Sequence, residues 1–246
     1  MSQPPWTDPA DAEAAGQAPA GRVRPGQAGQ APTGQAASGA AAAGGGRQPT
    51  LELSEAARRN LPVFTDELVL PIPSDTANLR EGPDLHPLCV SLLPLVGVWR
   101  GEGEVAYPTI GEPKHFGQQI VFAHDGRPFL SYSSQAWLLD GPGGEPVRPA
   151  AREVGWWRPQ EDDTIEVLIA HATGIMEVFY GRPRTTVSWE LVADAVIRTQ
   201  TAKEVNAAQR LYGIVEGADL AYVDERAMAG QPMQPHLSAR LRRVVG

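Results

Sequence analysis

The sequence predicts an all-β protein that forms a single antiparallel β-barrel of about ten strands. After Gly97 the chain divides into short pieces rich in apolar, aromatic and β-branched residues, separated by turn signals such as Asp125-Gly126 and Thr173-Gly174. The links leave no room for crossover helices, so neighbouring strands must pair antiparallel. Closure into a barrel removes the exposed edges of so many strands. A barrel of about ten strands is also wide enough to hold a ligand.

The predicted strands follow one another in short hairpins, with Gly181-Arg182-Pro183 and Ala193-Asp194 among the predicted turns. Ten or eleven strands result. Because the links between them are short, each strand is expected to lie beside the next one in the chain. The expected strands are 98–107, 118–124, 128–139, 153–158, 164–170, 175–180, 185–191, 196–202, 207–215, 220–228 and 235–244.

The N-terminal third of the chain has a different composition. Residues 1–50 consist almost entirely of Ala, Gly, Pro, Gln, Ser and Thr, and we expect a disordered low-complexity tail because so little apolar surface offsets the ordering entropy. Residues 51–83 read as an irregular lead-in with a short helix over 51–60. The barrel domain is expected at 84–246. Its first apolar stretch, 88–93, predicts one or two helical turns that close one end of the sheet.

Composition narrows the classes of partner and compartment. The net charge of −8 argues against non-specific nucleic-acid binding and against a polybasic membrane anchor. The one cysteine, Cys89, cannot form an internal disulfide, which fits a reducing compartment. No apolar stretch is long enough to cross a bilayer, and the N-terminus lacks the order of a secretory signal. We therefore expect a cytoplasmic protein without nucleic-acid or membrane partners.

Four phrases in the predicted domain carry a family resemblance. They are Gly97-Val98-Trp99-Arg100-Gly101-Glu102-Gly103, Tyr107-Pro108-Thr109-Ile110, Thr201-Ala202-Lys203-Glu204 and Gln231-Pro232-Met233-Gln234-Pro235-His236-Leu237. In their order and spacing the chain resembles the nitrobindin family, haem-binding β-barrels also described as peroxynitrite isomerases. The resemblance runs from about Asp84 to the C-terminus.

The resemblance implies a cofactor, an activity and site residues. It implies that His236 is the axial ligand of one ferric haem b per chain, that Thr109 lies at the haem, and that Lys203 pairs with a haem propionate. It also implies isomerisation of peroxynitrite to nitrate, binding of nitric oxide, a role in protection against or sensing of reactive nitrogen species, and a homodimer. One departure stands out: family members often carry a histidine where this chain has Ala151, so the second side of the haem would lack an imidazole.

Each residue also has a structural interpretation. The motif residues Gly97, Gly101 and Gly103 permit bends and close backbone approach, and Trp99 reads as a core or end-plug aromatic. For His236, strand alternation conflicts with the proposed role. It places the histidine on the face opposite Leu237 and Leu241. If those leucines face the barrel interior, either the haem lies differently from one bound by a central ligand, or a β-bulge re-aims the histidine.

Other chemistries find little support. The histidines lack the spacing and cysteine partners of a zinc site, and no Gly-x-Ser-x-Gly nucleophile occurs. The Gly-x-Gly pair does not open a helix, which excludes a dinucleotide site. The rival hypothesis is a lipocalin-like or fatty-acid-binding-like barrel that carries an apolar small molecule without catalysis. A protein-bound hemin spectrum that shifts with nitric oxide is expected for the haem protein and not for the carrier.

Overall fold

A computed structural model describes residues 72–246. A 3-10 helix, Pro87–Leu95, precedes ten strands, and a short 3-10 turn, Glu216–Ala218, joins the eighth and ninth. The strands are β1 (Gly97–Val105), β2 (Lys114–Ala123), β3 (Leu130–Leu139), β4 (Pro146–Pro159), β5 (Ile165–His171), β6 (Ile175–Thr185), β7 (Ser188–Arg198), β8 (Val205–Ile214), β9 (Leu220–Met228) and β10 (Gln234–Val245).

The strands form a closed antiparallel barrel. Each strand pairs with its neighbours in the chain, and β1 pairs with β10 to complete the ring. The predicted all-β fold of about ten antiparallel strands is therefore confirmed. The tail expected at 1–50 and the helix expected at 51–60 lie outside the described residues. Within residues 72–246, no helix is long and apolar enough to cross a membrane.

Three predictions about the strands were wrong in detail. The expected strands 185–191 and 196–202 both overlap a single strand, β7, which ends at Arg198. The predicted Ala193-Asp194 turn is a bulge within it, where Phe179 pairs with Ala193 and Val178 with Ala195. The expected turn Gly181-Arg182-Pro183 lies inside β6. In addition, β4 begins at Pro146 rather than at Glu153. The prediction missed its first residues because they are all exposed and show no alternation of apolar and polar side chains.

The 3-10 helix packs against the core at the end of the barrel where β1 begins, which we name the closed end. Cys89, Leu92 and Leu95 of this helix are fully buried within the main hydrophobic core. Two indole N–H groups fix the helix: Trp99 Nε1 donates to the Leu95 carbonyl at 2.7 Å, and Trp189 Nε1 donates to the Ser91 carbonyl at 3.1 Å. The predicted helical turns at 88–93 are thus confirmed, and the opposite end of the barrel, the open end, has no such plug among the described residues.

The glycines of the first phrase allow β1 and β10 to approach closely. A Cβ atom on Gly101 would collide with the Arg240 carbonyl oxygen, and one on Gly103 would collide with the Ser238 carbonyl oxygen and the ring of Phe116. Trp99 is buried at the closed end, with the Arg243 guanidinium 4.4 Å from its ring centroid. These contacts agree with the structural interpretation of the phrase.

Candidate functional site

His236 lies on a β-bulge at the open end of the barrel. Between β10 and β9, Pro235 pairs with Glu225 and Leu237 pairs with Asp224, so His236 is the extra residue. On the other side of β10, its carbonyl accepts a hydrogen bond from the Ala106 N–H at 3.0 Å. A bulge turns successive side chains out of strict alternation. As a result His236 and Leu237 line the same cavity, which resolves the conflict that alternation predicts.

The cavity has a volume of about 200 Å³. Its upper walls are mostly apolar, and its floor is polar. The apolar lining comprises Val105, Phe116, Ala136, Leu138, Ala150, Ala151 and Leu237, and the polar lining comprises Gln118, Ser134, Glu153, Arg210, Tyr222 and Asp224 beside His236. Ala151 therefore lies on the cavity wall, on strand β4, four strands from β10 around the ring. A larger hollow of about 830 Å³ lies across β8–β10 and does not include His236.

The surroundings of His236 keep its imidazole neutral. Burial lowers the pKa of His236 to about 4; the Asp224 carboxylate acts in the opposite direction, whereas the cations Arg226 and Lys203 add to the lowering. The Nδ1 atom is buried and has no hydrogen-bond partner within residues 72–246. A neutral imidazole whose lone pair is free of protons at pH 7 is the form that ligates a metal.

Tyr107 packs against the ring of His236. The two rings meet edge to face, with centroids 5.5 Å apart and planes at 88°. Tyr107 is 4% exposed, and its hydroxyl accepts a hydrogen bond from the Met228 N–H at 3.0 Å. Tyr107 belongs to the same phrase as Thr109, but the resemblance implied a place at the haem only for Thr109. The spacing of residues in a phrase does not show which side chain of a turn points inward.

Thr109 and Lys203 lie near the open end, and neither lines the cavity. Thr109 is exposed in the turn in which the Ile110 N–H donates to the Tyr107 carbonyl at 2.8 Å. Lys203 is exposed in the loop between β7 and β8, within electrostatic reach of His236. The structure thus brings His236 into a cavity and leaves Thr109 and Lys203 on its periphery, so their roles at a cofactor stay predictions.

A buried charge network, missed by the sequence analysis, lies inside the barrel beneath the cavity. It consists of Glu153, His171, Glu177, Arg210, Asp224 and Arg226. Arg210, with a side chain 1% exposed, holds both oxygens of Glu153 at 2.9 and 3.0 Å and one oxygen of Asp224 at 2.9 Å. Arg226 holds Glu177 at 2.8 Å and Asp224 at 2.8 and 3.1 Å.

His171 completes the network at the open end. Its Nε2 lies 2.7 Å from Glu177 Oε2, and its Nδ1 lies 3.3 Å from Glu153 Oε1. Burial alone would raise the pKa of Glu177, but the hydrogen bond from His171 and the charges of Arg210 and Arg226 outweigh it and lower that pKa. Glu177 therefore stays ionised at neutral pH. Glu153, Arg210 and Asp224 are the network members that line the cavity floor.

Comparison with known proteins identifies the family of the chain. The chain is 57% identical over 200 residues to a ferric nitrobindin-like protein of Saccharopolyspora erythraea, covering 81% of this chain and 92% of that one. It is 54% identical over 197 residues to peroxynitrite isomerase 2 of Mycobacterium tuberculosis, covering 77% and 84%. The crystal structure of Rv2717c from M. tuberculosis superposes with a TM-score of 0.58 at 36% identity, covering 65% of this chain and 99% of that one. Residues 89–243 match the model of the THAP4-like, heme-binding beta-barrel domain, and the chain belongs to this family.

Proposed function

We propose that this chain binds haem b through His236 and isomerises peroxynitrite to nitrate. The observation that carries the proposal is the position of His236 on its bulge, where a neutral imidazole lines a cavity at the open end of the barrel. The names of the relatives, ferric nitrobindin-like protein and peroxynitrite isomerase, support the same chemistry.

The residues present fit a haem group. His236 offers an imidazole with no hydrogen bond at the buried Nδ1, and Phe116, Leu138 and Leu237 offer apolar contact to a porphyrin face. The cavity volume of about 200 Å³ is below the roughly 300–1,000 Å³ of typical cofactor sites, so side chains at the open end must move apart on binding.

The side chains at this site have different proposed roles. His236 would hold the haem iron through its imidazole, which is unprotonated at pH 7 because burial lowers its pKa. The apolar walls exclude water, and Ala151 leaves the facing wall open for a small ligand. From the family resemblance, Lys203 would pair with a haem propionate and Thr109 would lie at the haem. When bound, the iron supplies the Lewis-acid and redox chemistry by which peroxynitrite rearranges to nitrate, and nitric oxide would bind at the same position.

A hemin titration of the full chain tests the proposal. We expect a protein-bound Soret band that shifts with nitric oxide, and faster peroxynitrite decay with nitrate as the product. His236→Ala should lose the axial-imidazole spectrum and reduce the decay rate to that of free hemin. His115→Ala, a partly exposed histidine on β2, is the matched control and should behave as the parent. An unchanged spectrum in His236→Ala would refute the assignment.

The same titration discriminates the alternative of a lipocalin-like or fatty-acid-binding-like carrier. The apolar lining of the cavity favours this alternative equally, but such a carrier needs no axial ligand. It would show no hemin spectrum that depends on His236. The homodimer, the cytoplasmic location and the division into 1–50, 51–83 and 84–246 stay predictions, checked by light scattering, fractionation and limited proteolysis.

A further inference from the structure

We propose that Tyr107 is a positioning residue for His236, fixing the plane of the imidazole so that the same nitrogen always faces the cavity. The inference rests on the proposed function, since it concerns the same histidine. Its first support is the edge-to-face contact of the two rings, at 5.5 Å and 88°. Such aromatic pairs have a preferred geometry and contribute beyond simple burial of area.

A bulged residue needs this kind of support. His236 has no pairing partner on β9, because Pro235 and Leu237 pair with the successive residues Glu225 and Asp224. Its Nδ1 is also buried and has no hydrogen-bond partner within residues 72–246. On the side of β9, neither a ladder pair nor a hydrogen bond to Nδ1 positions His236, so packing against Tyr107 is the contact that can restrict rotation of the ring.

Tyr107 is itself held firmly. Its hydroxyl accepts from the Met228 N–H at 3.0 Å and lies 3.1 and 3.2 Å from the carbonyl oxygens of Arg226 and Met228, to either of which it can donate. These three atoms belong to β9, whereas Tyr107 follows β1. The tyrosine thus reaches across β10 from the end of β1 to β9, directly beside the bulge. Its ring is fixed to the backbone of the barrel and can therefore hold the imidazole in place.

The contact is local to the open end. Tyr107 belongs to a small apolar cluster with Ile175, Val205 and Met228, which is separate from the main core. Substitution of Tyr107 should consequently disturb His236 more than it disturbs the barrel as a whole. A purely structural tyrosine would instead change stability and haem retention together.

The test compares Tyr107→Phe and Tyr107→Leu with Trp189→Phe. The control removes a comparable buried hydrogen bond, from Trp189 Nε1 to the Ser91 carbonyl at the closed end. Residues that orient a metal ligand typically change metal affinity by roughly 10–100-fold. We expect hemin to dissociate about 10-fold faster from Tyr107→Phe, which keeps the ring but not its anchor, and about 100-fold faster from Tyr107→Leu. Trp189→Phe should lose thermal stability without a change in this rate.

A second readout needs no haem. In ¹⁵N NMR of the hemin-free parent chain, the ring nitrogens of His236 should give one sharp set of signals. In Tyr107→Leu, the same nitrogens should show exchange broadening or a second set of signals. The proposal is overturned if Tyr107→Leu leaves these signals unchanged, or if it releases hemin no faster than Trp189→Phe at equal thermal stability. Should His236→Ala itself bind hemin as the parent does, the proposed function fails, and the NMR comparison alone decides the positioning role.

Discussion

Replacement of Arg210 should strongly destabilise the barrel, because it removes a buried positive charge from the interior. Arg210 is the cation shared by the three carboxylates of the buried charge network, with contacts to Glu153, Asp224 and Glu177. Arg210→Met keeps much of the side-chain volume and removes the charge. The variant leaves Arg226 as the one arginine of the network in contact with Glu177 and Asp224.

The expected cost follows from burial. Breaking a buried ion pair by removing one partner typically costs about 3–5 kcal/mol, because the remaining charge keeps its desolvation penalty. Since Arg210 is 1% exposed and contacts several carboxylate oxygens, we expect the upper part of that range. For a domain of this size, each kcal/mol lowers Tm by roughly 2–4 °C, so a fall on the order of 10 °C is expected.

The cost should depend on pH in one direction. The pKa of Glu177 lies below its reference value of 4.5, so its stabilising ionisation is complete above about pH 4.5 and is lost as the pH falls through the folded-state value. Glu177, one of the carboxylates that Arg210 contacts, is therefore neutralised in acid. The difference in unfolding free energy between the parent and Arg210→Met should be full at pH 7 and shrink below pH 4.5.

Urea denaturation followed by circular dichroism at pH 7 and pH 4 measures both effects. The control is Arg158→Met, which breaks the Arg158–Glu166 pair at 2.7 Å on the outer surface, where the two side chains are 51% and 31% exposed. Exposed pairs contribute about 0.2–1 kcal/mol. If Arg210→Met costs no more than Arg158→Met, the reasoning about the network is wrong.

Three further predictions concern β1, His236 and the cavity wall. Gly103→Ala should cost about 1–3 kcal/mol in urea denaturation because its Cβ meets the Ser238 carbonyl and Phe116, whereas Gly141→Ala, with open space around it, should change stability by less than about 0.5 kcal/mol. The pKa of His236 lies at about 4, so the stability gained by keeping it neutral is complete above pH 6.5 and falls towards pH 4 by up to about 3 kcal/mol; an equal pH slope in His236→Phe would contradict this. Ala151→His should place a second imidazole on the cavity wall and convert bound ferric hemin to a low-spin spectrum, and an unchanged spectrum would show that this wall does not face the iron.

The barrel was predictable because antiparallel strands leave a period-2 signal and short turns. The errors came where that signal is weak. In β7 the bulge at Asp194 looks like a turn because Ala193-Asp194 has turn composition, although the hydrogen-bonded ladder continues through it. In β4 the residues from Pro146 are exposed and carry no alternation, so only pairing with β3 reveals them as strand.

Of the candidate site residues, His236 is the one that the structure brings to a cavity. His236 could be named from its phrase, but the bulge that turns it into the cavity depends on the register of β10 against β9, and register is a property of two strands that no single segment contains. The contact with Tyr107 depends on the same register, since the tyrosine is anchored to β9.

The buried charge network shows why composition misleads inside a ligand-binding barrel. In β6, Ile175 and Phe179 are buried, and alternation then places Glu177 inside and Met176 outside; the exposed fractions are 1% for Glu177 and 52% for Met176. Hydrophobicity alone would reverse that assignment. The glutamate stays inside because Arg226, Arg210 and His171, from three other strands, provide its partners. A buried charge is tolerated when it is paired, so the parity of the apolar neighbours, rather than the polarity of the residue, decides which side chains reach the floor beneath His236.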